Sequence, residues 1–228
     1  MTKQHYKHTP MPLKISSYCQ ITDSGVWLNG KEIPIIRTNE TANAWLDDIY
    51  RSLELQYLKF FKMDKLCKAG FLAAELVCND IRLDKSVYHK DIAIVCFNRS
   101  SSLDDDTLYQ ATINDTKNYF PSPAVFVYTL ANIVTGEIAI RNKIMGETSF
   151  YISEKRELTQ MRDAIIDVFQ DDTVNGLLCG WVEYFDNQCD VLMMYVERER
   201  MQAADSAVRT MKHEKLTLIQ NTNRSERK

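Results

Sequence analysis

The run from Asp91 to Phe97 constrains the fold of this chain more than any other segment. After its first residue it reads Ile-Ala-Ile-Val-Cys-Phe, an unbroken apolar stretch rich in β-branched residues. A strand with one face in water alternates polar and apolar residues, whereas a strand covered on both faces is apolar throughout. The run therefore predicts a strand in a sheet that carries helices on both sides.

Helical patterns alternate with shorter strand patterns along the rest of the chain. Ser122 followed by Pro123 is typical of a helix N-terminus, because serine caps free amides and proline fits the first turn. Such alternation predicts an α/β domain with a mainly parallel sheet. We predict strands over residues 15–21, 26–28, 33–36, 91–97, 148–152, 174–182 and 191–196, and helices over residues 41–55, 58–78, 103–113, 124–144 and 154–169.

Composition excludes several classes of protein. A content of 45% hydrophobic and 26% charged residues is that of a globular domain, not of a disordered or low-complexity chain. The formal net charge of −3 gives no general attraction to nucleic acid. No apolar run approaches the roughly 18 residues of a membrane-spanning helix, and the polar first residues lack the core of a signal peptide. We therefore expect a soluble, cytoplasmic protein.

Cysteine and histidine usage predicts neither disulfides nor a metal site. The six cysteines form no C-x-x-C pair, and we expect reduced, structural thiols. His89 and His213 stand alone in polar surroundings, and His5 and His8 lie near the first residue, so no ligand cluster can be assembled. We predict no metal and no cofactor.

Four stretches, taken in order and spacing, carry a family resemblance. They are Lys62-Met63-Asp64 before an apolar helix; Pro121-Ser122-Pro123 leading to residues 132–141 and then Gly146-Glu147-Thr148-Ser149; Gly180-Trp181-Val182-Glu183; and residues 191–197. Together they resemble the N-terminal half of the β-ketoacyl-acyl carrier protein synthases, the thiolase-like condensing enzymes, over residues 45–205. The resemblance implies a three-layer, thiolase-like half with a five-stranded, mostly parallel mixed sheet and helices on both faces.

The resemblance also suggests a division of the chain. Residues 1–205 are expected to form a ketosynthase N-terminal-like domain, with an irregular start over residues 1–14. Residues 206–228 are expected to be a charged C-terminal tail, continuing a helix that begins after the last strand and frays after Gln220.

The catalytic positions of the family are not matched. Condensing enzymes hold a nucleophilic cysteine at the N-terminus of a buried helix, where the helix end stabilises the thiolate. The resemblance places that position on Lys155, and a protonated lysine cannot accept the acyl group. Ser153 is a weak candidate nucleophile that requires a shift of two residues and a nearby base. The family's two catalytic histidines belong to a C-terminal half to which the resemblance does not extend.

The same segment has a simpler interpretation. Ser153 would cap a solvated helix, and Glu154 and Glu157 would lie favourably in its first turn beside Lys155.

A group of lysines suggests a partner. Lys59 and Lys62 match the part of the family where basic residues receive the acidic acyl carrier protein. The alternative is a solvated basic helix face, which Lys65 and Lys68 would share.

The residues at 148–152 suggest a second partner. In the family, the strand that leads to the nucleophile pairs across a two-fold dimer axis, and here that strand carries Phe150 and Tyr151. We predict a non-catalytic ketosynthase-like protein of fatty-acid or polyene-type biosynthesis, which acts as the partner of a condensing enzyme, of an acyl carrier protein, or of both. It would be a homodimer or a heterodimer with a full-length ketosynthase. The alternative is an acyltransferase or hydrolase with a relocated nucleophile. Neither nucleic acid nor a membrane span is expected.

Overall fold

The computed structural model describes residues 12–38, 42–115, 117 and 119–199. The strands are β1 (Leu13–Thr22), β2 (Val26–Leu28), β3 (Lys31–Ile33), β4 (Ile92–Asn98), β5 (Thr148–Ile152), β6 (Gly176–Phe185) and β7 (Gln188–Arg198). The helices are α1 (Ala42–Ser52), α2 (Lys65–Asp80), α3 (Leu103–Ala111), α4 (Pro123–Tyr128), α5 (Ile133–Asn142) and α6 (Leu158–Val168). The expected tail lies outside these residues, as do most of residues 1–14.

The strands form one mixed sheet in the order β3-β2-β1-β7-β6-β4-β5. β4 pairs in parallel with β5 and β6, and every other neighbouring pair is antiparallel. Five strands were expected, and that count is wrong because the β2–β3 hairpin adds two strands beyond β1. Its turn is made by Asn29 and Gly30, which have φ values of 52° and 78°. Positive φ at both positions is the geometry of a two-residue hairpin turn.

A second tight hairpin joins β6 to β7. Asp186 and Asn187 have φ values of 50° and 60° and form its turn. The sequence predicts strands on both sides of this point, but their pairing is not evident from it. The pairing reverses β7 relative to β1, β4, β5 and β6, so the sheet is more antiparallel than expected.

Helices cover both faces of the sheet, as the apolar run in β4 predicts. All seven residues of β4 are buried. Ile94 joins the core beneath α1, α2 and α5, whereas Val95 and Phe97 join the core beneath α6. Gly70 permits a close contact between α2 and α5, because a Cβ at this position would lie 2.4 Å from a methyl group of Val134.

The helix predicted over residues 124–144 is two helices, α4 and α5. Residues 129–132 separate them, and Val127 and Leu130 are exposed while Val134 and Ile138 are buried. The apolar spacing suggests one buried helix because sequence does not distinguish apolar residues in a core from those on a surface.

The first residues of α2 also differ from the sequence prediction over 58–78. A short 3-10 helix over Leu58–Lys62 precedes α2, and Asp64 caps α2 by accepting hydrogen bonds from the amides of Leu66 and Cys67.

The cysteines are reduced and buried, as expected. All six are unpaired, and burial raises the pKa of Cys78 and Cys96 to about 12. A thiol with such a pKa holds its proton at neutral pH and is a poor nucleophile. Within the described ranges no three or more metal-binding side chains come together, and no helix is long and apolar enough to cross a membrane.

Candidate functional site

The candidate site lies where the parallel strands end. β5 stops at Ile152, and residues 153–157 connect it to α6. The amide of Ser153 donates to the carbonyl of Asn98, at 2.8 Å, so the connection is held against the last residue of β4. Because β4, β5 and β6 are parallel, their carboxyl ends meet at this edge of the sheet.

Lys155 is a surface cation in this connection. Its ammonium lies 3.0 Å from Glu157 Oε1, and its side chain is 73% exposed. The hydrogen bond and the charge of Glu157 raise the pKa of Lys155, so the amine is protonated at neutral pH. Lys155 also precedes the first residue of α6 by three positions, so it lies outside the N-terminus of this helix.

Among the described residues the side chain of Ser153 makes only short-range polar contacts. Its hydroxyl lies 2.7 Å from the side-chain oxygen of Gln160 and 3.2 Å from the carbonyl of Lys155. Neither acceptor is the imidazole or carboxylate that activates a nucleophilic serine. Ser153 is also not the cap of α6, because Glu157 occupies that position and makes no capping hydrogen bond with its side chain.

Glu183 organises the same edge of the sheet. It is buried near the end of β6, and its Oε2 accepts hydrogen bonds from the amides of Arg99, at 2.6 Å, and Ser100, at 3.3 Å. Its Oε1 and the indole nitrogen of Trp181 have no hydrogen-bond partner in the described part of the chain. Sequence reasoning included Glu183 in the family resemblance but assigned it no role, since its contacts lie more than eighty positions away.

Arg156 secures the connection on its other side. Its guanidinium donates to Asp190 Oδ1 at 3.0 Å, which joins residues 153–157 to β7. The carboxyl edge therefore holds charged and polar groups that are mostly engaged with one another.

β5 is an open edge of the sheet. Among the described strands its neighbour is β4, to which Glu147 offers its carbonyl and Ser153 its amide. Backbone groups of alternate residues point to opposite sides of a strand. The amides and carbonyls of Thr148, Phe150 and Ile152 therefore face outward, where another strand can pair with them.

Apolar side chains are exposed to solvent beside the open edge of β5. Ile152 is 55% exposed, and Met145 and Tyr151 are also largely exposed. A second exposed apolar group lies on α3 and α4, where the rings of Tyr109 and Phe126 are 5.2 Å apart. Exposed apolar surface of this kind favours contact with another protein.

The four lysines predicted around α2 are mostly engaged within the chain. Lys59 lies 2.7 Å from Glu137 Oε2, in an ionic contact that lacks hydrogen-bond geometry. Lys68 pairs with Asp47 at 2.8 Å, and Lys65 donates to Asn187 at 2.9 Å. Lys62 is exposed, and it has no ion pair with any residue that the structure describes.

A pair of acids, of which Asp105 is buried and Asp64 half-buried, lies beside these lysines. The side chains of Asp64 and Asp105 interact closely enough for the two carboxyl groups to share a proton. Burial, followed by the charge of Asp64, raises the pKa of Asp105 to about 8, and burial raises the pKa of Asp64 as well. Asp64 accepts amide hydrogen bonds as the cap of α2, so Asp105 is the better site for the shared proton. Sequence analysis missed this pair, which connects two separate helices.

Solved structures similar to this chain include ketosynthases and their complexes with a chain length factor or an acyl-carrier protein. "The ishigamide ketosynthase/chain length factor" aligns with a TM-score of 0.59 at 14% identity, covering 85% of this chain and 63% of that chain. A ketosynthase (ApeO) in complex with its chain length factor (ApeC) from Xenorhabdus doucetiae aligns at 0.54 and 14% identity, covering 82% and 79%. The fold is that of the ketosynthases. No family model and no curated protein matches the sequence.

A third structure with the ketosynthase fold is AntDE:AntF, a type II PKS acyl-carrier protein in complex with its ketosynthase. It aligns with a TM-score of 0.52 at 12% identity, covering 83% of this chain and 63% of that chain. The resemblance predicted from sequence is thus confirmed for the fold. The chain spans less than two thirds of the matched chain in this structure and in the ishigamide structure.

Proposed function

We propose that this chain is a partner subunit with a ketosynthase fold, which pairs with a condensing enzyme and does not perform the condensation itself. The open edge of β5, with exposed apolar side chains beside it, carries this proposal. A second strand added there would satisfy the outward backbone groups and cover Ile152 and Tyr151.

The solved structures support a role of this type. Two of them contain a ketosynthase and a chain length factor by name. The alignment with the Xenorhabdus doucetiae complex covers 82% of the present chain and 79% of the matched chain, so the two chains are of similar length. A short chain with this fold therefore has a precedent inside such a complex. We extend the proposal to a chain-length-factor-like role in fatty-acid or polyene-type biosynthesis.

The chemistry at the carboxyl edge supports the same division of labour. Lys155 is protonated and paired with Glu157, and the hydroxyl of Ser153 contacts amide and carbonyl oxygens. A condensing partner would supply the nucleophile and the base, while this chain supplies a surface and a boundary for the growing acyl chain.

Docking of an acyl carrier protein is a second part of the proposal. Lys62 is the principal contact that we propose, because its ammonium is free of ion pairs among the described residues. Lys59 would contribute less, since Glu137 already offsets its charge. The AntDE:AntF structure is a precedent for a carrier protein bound to a ketosynthase.

The pairing can be tested by co-expression with a candidate full-length ketosynthase from the same genome. Ile152→Asp places a charge at the β5 edge, and Ile166→Asp on α6 is the matched control, because these isoleucines are 55% and 47% exposed. We expect the affinity for the ketosynthase to fall roughly tenfold or more with Ile152→Asp and to be unchanged with Ile166→Asp. A native protein that is monomeric and retains no ketosynthase would contradict the proposal. Sedimentation of the protein alone distinguishes a homodimer from a heterodimer.

A further inference from the structure

A cavity of about 470 Å³ opens at the amino edge of the parallel strands, at the end of the sheet opposite Lys155. It is lined by the last residue of α2, the turn that follows, the start of β1 and the end of β7. Small-molecule sites have volumes of about 300 to 1,000 Å³. The lining combines the apolar side chains of Ile81 and Leu83 with charged side chains of both signs. The cavity therefore has the size and composition of a site for a small amphipathic molecule.

Tyr195 brings a buried hydroxyl to this cavity. The residue is 8% exposed, and its hydroxyl makes no hydrogen bond with any residue that the structure describes. Gly176 leaves room for the hydroxyl, because a Cβ at this position would overlap it. Burial raises the pKa of Tyr195, so the hydroxyl keeps its proton and can donate. A buried donor without an acceptor is unfavourable, and a ligand oxygen that accepts from Tyr195 would remove this cost.

Arg82 is a cation that has no counter-ion within the described part of the chain. Its side chain is exposed and forms no ion pair there, although Asp80 and Asp84 line the same cavity. Its φ is 56°, in the left-handed region where glycine is favoured after a helix. The amides of Arg82 and Leu83 donate to carbonyls in the last turn of α2 and fix this turn. The guanidinium does not support the turn and is available to bind an anion.

The acidic side chains of the cavity are also only partly engaged. Asp80 Oδ2 and Asp84 Oδ1 accept hydrogen bonds from neighbouring residues. Their second oxygens, Asp80 Oδ1 and Asp84 Oδ2, make none with a residue that the structure describes. Lys14 and Glu197, by contrast, pair with each other at 2.9 Å. Because α2 ends at this point, its last carbonyls add partial negative charge. This side of the cavity therefore attracts a cation.

We propose that the cavity binds a small zwitterion of the α-amino acid type with an apolar side chain. Arg82 and the hydroxyl of Tyr195 donate to its carboxylate, Asp80 and Asp84 accept from its ammonium, and the apolar lining contacts its side chain. A simple anion would lie among three carboxylates, and a simple cation would leave Arg82 and Tyr195 without acceptors. This inference does not depend on the proposed pairing with a ketosynthase.

Titration of the full-length protein with L-phenylalanine, followed by NMR of the backbone amides, tests the proposal. We expect saturable shifts of residues 80–84 below about 10 mM ligand. Two analogues, 3-phenylpropionate and 2-phenylethylamine, lack the ammonium and the carboxylate respectively, and each should bind roughly tenfold more weakly. The absence of saturable shifts would overturn the proposal. Binding of either analogue as tightly as L-phenylalanine would do so as well, because the cavity would then recognise a single charge.

Arg82→Gly separates ligand binding from folding. It should weaken L-phenylalanine binding roughly tenfold without lowering the melting temperature, because glycine adopts a positive φ at little cost. Glu54→Gly is the matched control, since Glu54 has a φ of 51° after α1 and should leave binding unchanged. If Arg82→Gly does not fold, Tyr195→Phe removes only the hydroxyl and should weaken binding several-fold. Undiminished binding by the folded variant would refute the proposal.

Discussion

Two carboxyl groups, those of Asp64 and Asp105, lie together at the start of α2, and their contacts favour different protonation states. Asp64 accepts the amide hydrogen bonds of Leu66 and Cys67, which favour its carboxylate and oppose the burial that raises its pKa. Asp105 lies against it in a buried position and is stabilised as the acid. A proton shared by the two side chains would join α3 to the N-terminus of α2, and we expect this contact to depend on pH.

The shared proton predicts how stability changes with pH. The pKa of Asp105 is about 8 in the folded state and near 3.8 when unfolded, so the folded state binds the extra proton between these values. The free energy of unfolding should therefore fall as pH rises from about 4 to about 8, by at most about 1.4 kcal/mol per pH unit. Asp105→Asn keeps a donor for Asp64 without a titrating proton, and its stability should change less over this range.

Denaturant unfolding at pH 5, 7 and 9 measures this difference. Asp106→Asn is the control, because Asp106 is exposed on the same helix. If wild-type and Asp105→Asn protein have the same pH profile, the two acids do not share a proton.

Ser153 and Lys155 give a second prediction about single residues. Incubation with an acylated carrier protein or an acyl thioester should leave the intact mass of this chain unchanged, because neither side chain is activated. A stable acyl adduct that disappears with Ser153→Ala or Lys155→Ala would show that the alternative function, acyl transfer with a relocated nucleophile, is correct.

Close contact between elements depends on single glycines, as α2 and α5 show. A methyl group at Gly70 would lie 2.4 Å from Val134 and force the helices apart, whereas one at Gly136 meets no atom within 4 Å. Gly70→Ala should therefore destabilise the protein by about 1–3 kcal/mol through overpacking. Gly136→Ala should stabilise it by up to about 1 kcal/mol, because alanine is the better helix former. Urea unfolding measures both, and a destabilised Gly136→Ala with an unaffected Gly70→Ala would contradict this account of the contact.

The same scale shows what the sequence can predict. β4 was identified correctly because burial on both faces leaves a continuous apolar run that is visible locally. The break between α4 and α5 was missed because Val127 and Leu130 maintain the apolar pattern while lying on the surface. Glu183 and the pair of Asp64 and Asp105 were missed for another reason, since each acts through residues distant in sequence.

At the scale of the whole molecule, we propose different partners for different surfaces of this ketosynthase fold. The β5 edge offers backbone groups and apolar side chains, as a pairing strand requires. The region around α2 offers positive charge, but Lys59, Lys65 and Lys68 already have partners within the chain. Any attraction to an acidic carrier protein is therefore concentrated at Lys62 and does not extend along a basic helix face.

Carrier docking at Lys62 predicts a specific effect of charge reversal. Lys62→Glu should weaken binding of an acyl carrier protein several-fold, with the effect largest at low salt, because screened surface charges contribute mainly to encounter. Lys90→Glu is the matched control, since Lys90 is also exposed but precedes the first residue of β4, at the opposite end of the strands. Binding is measured by titrating the carrier protein into the complex of this chain with a condensing enzyme. A carrier site that is shared with that enzyme is then intact. Equal losses for the two variants would indicate a nonspecific attraction, and the docking assigned to Lys62 would then be wrong.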